Sequence, residues 1–180
     1  MLQPRALIAE DEPHLREQLA ERLNKLWPEL TLVALMRPAP PAPWLPKDWH
    51  GKPIVALLAC YSGRPEDADK HVGPIKSFGA PIGDVLVRRP YAQMQMLLDA
   101  TQPKGRRYYW KSHYLPGIES AMLAGVMEHA SRLTSPHSAV IVFQLGGAVG
   151  RWPSDHSAVG NRDAGAVLNI AAAWEKESED

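Results

Sequence analysis

Apolar positions along the chain switch between two periods, and the switches mark the elements. Ala6 to Ala9 form a short apolar run that predicts a buried strand. Glu10, Asp11 and Glu12 end the run. Asp11 can cap a helix, and Pro13 is tolerated in the first turn, where no intrahelical N–H is needed. Leu15, Leu19, Leu23 and Leu26 follow at helical spacing, and Pro28 stops the helix at Trp27. Leu30 to Leu35 reads as a second strand. Residues 1–34 therefore predict a strand–helix–strand unit. The next stretch, Met36 to Pro46, is dense in proline and short of backbone donors for a ladder. It predicts an extended or polyproline II segment joining two unlike pieces, residues 1–34 and 35–180.

Beyond that stretch, strand and helix signals alternate. Ile54 to Tyr61 is an apolar strand. Ser62-Gly63-Arg64-Pro65 is a turn before a helix starting near Glu66. Ile82 to Val87 is a strand weakened by Gly83. Met94, Leu97 and Leu98 suggest a short helix over Tyr91 to Ala100. Arg106 to Tyr114 is aromatic and extended. Glu119 to Leu133 is a helix presenting Met122, Val126, Met127 and Ala130 on one face. Val140 to Leu145 is a strand ending at Gly146-Gly147. Val167 to Trp174 is assigned as the last strand, although its alanines also suit a helix. The sum is an α+β fold, an antiparallel sheet flanked by helices, with a short N-terminal β-α-β unit.

Composition narrows the function classes. Lys plus Arg and Asp plus Glu balance at 20 each, so no global field draws nucleic acid or anionic lipid. The small basic clusters Arg88-Arg89 and Lys104 to Arg107 read as solvated surface. A single cysteine, Cys60, excludes an intramolecular disulfide and any cysteine-based metal cluster. No apolar run reaches the roughly 18 residues of a membrane span. A start without an apolar signal core makes a cytoplasmic protein the expectation. The seven histidines are scattered, and none shows ligand spacing.

A few positions carry candidate chemistry. Glu10 and Asp11, at a strand-to-helix corner, can hold a hard divalent cation or simply cap the helix. Tyr109 and Lys111 lie two apart in an extended segment, so both point to one face. Ile141 and Phe143 share a face for the same reason, and being apolar cannot act as acid or base. Gly146-Gly147 permits close backbone approach or a bulge, but lacks the wider spacing of a phosphate loop.

Two resemblances add to this reading. ALIAEDEPHLREQLAERLNKLWPELTLVA resembles the start of a response-regulator receiver domain, in which an acidic pair binds magnesium beside a phospho-accepting aspartate. Here the strand ending at Tyr61 carries no such acid. The longer resemblance runs from Leu35 to about Glu175. It includes APPAPWLPKDWHGKPIVALLACYSG, the stretch from VGPIKSFGAPIGD to KSHYL, VIVFQLGGAVGRWPSD, and VGNRDAGAVLNIAAAWE. These phrases, in this order, resemble bacterial berberine-bridge-enzyme-like flavoproteins. The resemblance implies FAD-linked oxidation of a small-molecule substrate. It makes residues 35–180 the substrate-binding half. It also implies that Tyr109, Lys111, Ile141 and Phe143 face flavin or substrate, with Lys111 near the flavin ring. The flavin-binding half and the family's last segment are expected outside this chain, which alone should be inactive. A separately encoded flavin-binding half, or self-association through the uncovered sheet, is the expected partner. A signalling fragment and a functionless fusion product are the alternatives.

Overall fold

The computed structural model describes residues 4–8, 13–25 and 29–179. Twelve elements position the site: β1 (Pro4–Ile8), α1 (Pro13–Asn24), β2 (Leu30–Pro38), β3 (Pro53–Tyr61), α2 (Ala68–Lys76), β4 (Pro81–Asp84), α3 (Tyr91–Gln95), β5 (Arg107–Leu115), α4 (Ser120–Ala130), β6 (Ala139–Gln144), α5 (Ala148–Arg151) and β7 (Ala166–Trp174). The strands form one seven-stranded sheet in the order β4-β1-β3-β2-β6-β7-β5. Every neighbouring pair is antiparallel. The expected α+β class and antiparallel sheet are present, and the alanine-rich Ala166–Trp174 is a strand.

Strand alternation divides the sheet into two unlike faces. Leu32, Ala34 and Met36 of β2, Leu57 and Ala59 of β3, and Val142 of β6 point to one face. Leu19 and Leu23 of α1, Ile75 of α2 and Leu123 of α4 close over them as the main core. On α4 the deepest contacts come from Leu123 and Ala130, while Met122, Val126 and Met127 pack at the margin. The helices lie across β3, β2 and β6. They leave β7 and β5 less covered on this side.

The strand–helix–strand of residues 1–34 forms as a split unit. Its strands β1 and β2 do not pair with each other; β3 lies between them, antiparallel to both. In a receiver-type doubly wound sheet the corresponding strands are parallel neighbours. Strand β2 runs unbroken through residues 34 and 35 as the centre of the sheet, and α1 packs on α4. Two amides fasten this unit to the remainder. Asn24 donates from Nδ2 to the Ile118 carbonyl at 2.5 Å and accepts the Ile118 N–H at 2.8 Å. The buried Gln144 donates to the Lys25 carbonyl and accepts the Leu32 N–H at 3.3 Å. Glu10 and Asp11 lie outside the described residues.

The proline-dense segment differs from expectation in a specific way. Met36, Arg37 and Pro38 continue the ladder, and Pro38 faces Pro53 at its last rung, where a missing donor costs little. The following residues fold back as a cap. Leu45 and Ala39 bury Ile54, with Trp44, Trp49 and Ile82 packed around them. Gly83 is explained by this cap: a Cβ there would lie 2.9 Å from both the Trp44 ring and its carbonyl. The expected strand of Ile82 to Val87 accordingly spans only Pro81–Asp84.

A shared core has a measurable consequence. Leu23→Ala and Leu123→Ala should each lower the unfolding free energy by about 2–5 kcal/mol, in one cooperative urea transition seen by both tryptophan fluorescence and circular dichroism. Two separate transitions, with Leu23→Ala shifting only one, would show that the N-terminal unit folds apart.

Candidate functional site: the open face of the sheet

The second face of the sheet carries no helix comparable to α1 or α4. Registers across the ladder place its residues in rows, because directly opposed residues on paired strands share a face. One row reads Ala56, Leu35, Ile141, Asn169, Ser112. The next reads Leu58, Val33, Phe143, Val167, Tyr114. At the β3 and β2 end, Val33, Ala56 and Leu58 are buried, with Leu97 from the turn after α3 packed on them. At the β6, β7 and β5 end the face is open. Ile141 and Phe143 are half-buried, whereas Trp110 is 52% and Tyr114 49% exposed.

A single polar pair interrupts this apolar floor. Asn169 Nδ2 donates to Ser112 Oγ at 3.1 Å. Asn169 Oδ1 is buried and has no hydrogen-bond partner among the described residues. A buried acceptor left empty costs about 1–3 kcal/mol, which makes it a standing demand for a donor. The Ser112 hydroxyl can donate or accept, so the pair suits a ligand bearing a hydroxyl or an amine. Below it, Ala139 and Ala171 keep the floor low. Arg37 closes that end, its guanidinium donating to the carbonyls of Pro38 at 3.2 Å and Pro136 at 2.7 Å. Burial first, and then the charge of Arg106, pull Arg37 below its ordinary pKa.

The four residues singled out from sequence do not meet. Ile141 and Phe143 lie on the open face. Tyr109 is paired with Ala172 and Lys111 with Ile170, which puts both on the helix-side face. There Tyr109 is 59% exposed and Lys111 Nζ sits 5.7 Å from its ring centre. One bound ring cannot touch both pairs through the sheet. Ser112 and His113, adjacent in sequence, likewise point to opposite faces. Asn169 was missed, although its signal was present: it is the only polar residue in the strand AVLNIAAAW. Trp110 and Tyr114 were passed over because Arg106 to Tyr114 is aromatic on both faces.

Two concavities lie elsewhere. One of about 680 Å³ on the helix-side face is lined by Tyr109, His137, Ser138, Trp174 and Glu175. Glu175 there pairs with His137 at 3.1 Å and Arg106 at 3.5 Å. The other, about 730 Å³, lies beside Gly146 and Gly147, with Gln144 and Arg151 in its wall. Both glycines have positive φ, at 130° and 57°, and a Cβ on Gly147 would meet nothing within 4 Å. Gly147 therefore serves the turn out of β6, not a close approach.

The protein's fold is shared with known structures. Its backbone superposes on berberine bridge enzyme from Eschscholzia californica with a TM-score of 0.68 over 99% of this chain, at 12% identity. The fold is that of one part of a berberine-bridge-enzyme-like flavoenzyme. It also matches 6-hydroxy-D-nicotine oxidase from Arthrobacter nicotinovorans (TM-score 0.68, 13% identity, 99% of this chain). CrmK, a flavoenzyme of caerulomycin biosynthesis, matches with a TM-score of 0.69 at 18% identity over 98% of this chain. These overlaps take in the first 34 residues with the rest. The chain covers 36%, 39% and 38% of those three structures, respectively. An FAD-linked oxidoreductase of Dictyostelium discoideum is 27% identical over 96 residues, which is 53% of this chain and 21% of that protein. No family model matches the chain.

The described residues offer FAD no phosphate cradle of the glycine-rich, helix-opening kind. One common cradle for the phosphates of a dinucleotide is a glycine-rich turn opening a helix. Here the paired glycines lead only into the four-residue α5.

The empty acceptor makes a stability prediction. Asn169→Leu removes it at nearly constant size, at the cost of the bond to Ser112. We expect the unfolding free energy to hold or rise, within about 1 kcal/mol. A loss beyond about 2 kcal/mol would mean that the amide is satisfied within the fold.

Proposed function

We propose that this chain forms the substrate-side wall of an FAD-linked oxidoreductase of the berberine-bridge-enzyme-like kind. The open face of β6, β7 and β5 turns toward the flavin ring, and a second domain grips the cofactor. The observation that carries this reading is the lone Asn169–Ser112 pair, with its empty acceptor, set in an aromatic and aliphatic floor on the face the helices leave bare. The fold likeness and the Dictyostelium relative support it. FAD, when bound by such an enzyme, accepts the hydride; the protein's part is binding, orientation and the exclusion of water.

Each floor residue then has a task. Asn169 receives a hydroxyl or amine proton donor of the substrate and so fixes which carbon faces the ring. Trp110 and Tyr114 stack against flat or apolar parts of the substrate. Ile141 and Phe143 exclude water from the reacting side. None of these groups is a carboxylate or an imidazole. The proton acceptor of the oxidation belongs to the other domain or to the cofactor site. Tyr109 and Lys111, behind the sheet, take no part in this wall.

Two measurements test the reading. FAD added to the 180-residue protein should give no equimolar yellow complex, with binding weaker than roughly 100 μM because only one wall is supplied. With a cognate flavin-binding domain present, Asn169→Leu should lower kcat/KM by roughly tenfold to a hundredfold, and Lys111→Ala by less than about threefold. Equimolar flavin with substrate-dependent oxygen uptake by this chain alone would refute the one-wall reading. Sensitivity to Lys111 in place of Asn169 would assign the other face.

A further inference from the structure

The two edges of the sheet are guarded unequally. At one edge, β4 has four residues, begins with Pro81 and meets β1 through a register shift. Short length, proline and a bulge are the usual means of blocking edge-to-edge pairing. At the other edge, β5 has nine residues, contains no proline and pairs with β7 in an unbroken register from Arg107 to Leu115. Among the described residues β7 is its only ladder partner, so its outer side faces no other strand. All seven residues between Arg107 and Leu115 are exposed. Within that exposed run Lys111 is the one lysine, a residue type that normally protects an edge.

We propose that β5 pairs with β5 of a second copy, antiparallel about a two-fold axis through Trp110. The strand's own residues select both partner and register. In an antiparallel pair of identical strands, residues directly opposed share a face. An axis through Lys111 would set Lys111 against Lys111, a like-charge contact. An axis through Ser112 would set Lys111 against His113, two basic groups. An axis through Trp110 sets Arg107, which is already paired with Glu177 at 3.2 Å, against His113 at the outer rungs, the two indoles against each other, and Lys111 against Tyr109 of the other copy, twice. That cation–aromatic pairing already exists within one strand at 5.7 Å. Residues 107–113 of each copy overlap in this register. The contact is isologous and closes at two copies. The axis stands perpendicular to the sheet, so both open faces stay free and the dimer does not depend on the functional reading above.

The test uses the full 180-residue protein. Sedimentation velocity should show a dimer at micromolar concentration, and Lys111→Glu should weaken association roughly tenfold. The register is read by cross-linking in a Cys60→Ser background. Trp110→Cys places two thiols on opposed residues, about 4.5–5.5 Å apart at Cα, and should oxidise to a covalent dimer. Ser112→Cys places them about 13 Å apart along the strands and should stay reduced. A monodisperse monomer at about 100 μM overturns the proposal. So does a dimer that cross-links through residue 112 but not 110, or one indifferent to Lys111→Glu that fails to cross-link at 110.

Discussion

One-sided cover is the constraint on which everything else in this protein depends. Helices α1, α2 and α4 can bury only one face of the antiparallel sheet. Strand alternation then commits every second residue of seven strands to the other face. Leu32, Ala34 and Met36 go to the core; Val33, Leu35 and Arg37 go to the opposite side. That side is closed where Leu97 and the Trp44–Leu45 cap reach it, and open over β6, β7 and β5. The site candidate is therefore a product of where cover runs out, with Asn169 placed at its centre by the register of β6, β7 and β5.

The central strand explains why the N-terminal unit cannot be set aside. β2 contributes to both faces and is flanked by β3 and β6 along its length. Its connection to α1 is fastened by two side-chain amides that satisfy backbone groups across the fold, Asn24 at the end of α1, bonded to Ile118 just before α4, and Gln144 at the end of β6, bonded to Lys25 and Leu32. Such clamps reward a unique arrangement, because breaking one leaves buried backbone donors and acceptors unpaired. The open face is thus held rigid from beneath by residues far from it in sequence.

Local pattern in the sequence carried much of this and failed at identifiable points. Apolar runs located β3 and β6, and helical spacing located α4, whereas the alanines of β7 suited strand and helix alike. The strand–helix–strand of residues 1–34 was also legible, but its order in the sheet was not. A split unit and a parallel neighbour pair have the same local pattern, and only the placement of β3 between β1 and β2 separates them. The prolines of Met36 to Pro46 suggested a join between unlike pieces, yet Pro38 occupies the last rung, opposite Pro53, where a ladder tolerates it. Gly83 suggested weakness but answers the approach of Trp44. For the site, spacing within one strand grouped Tyr109 with Lys111 and Ile141 with Phe143 correctly. It could not join the pairs, because which face of β5 continues which face of β6 depends on register through β7.

The functional account reduces to a choice between two faces of β5. Trp110 and Tyr114 look to the open side, Tyr109 to the helix side, and all three side chains react readily with hydroxyl radicals when exposed. Footprinting by mass spectrometry, with and without a cognate flavin-binding domain loaded with FAD, distinguishes the faces directly. The account predicts that docking protects Trp110 and Tyr114 severalfold and leaves Tyr109 labelled as before. Protection of Tyr109, with Trp110 and Tyr114 still labelled, would place the flavin on the helix side and contradict it.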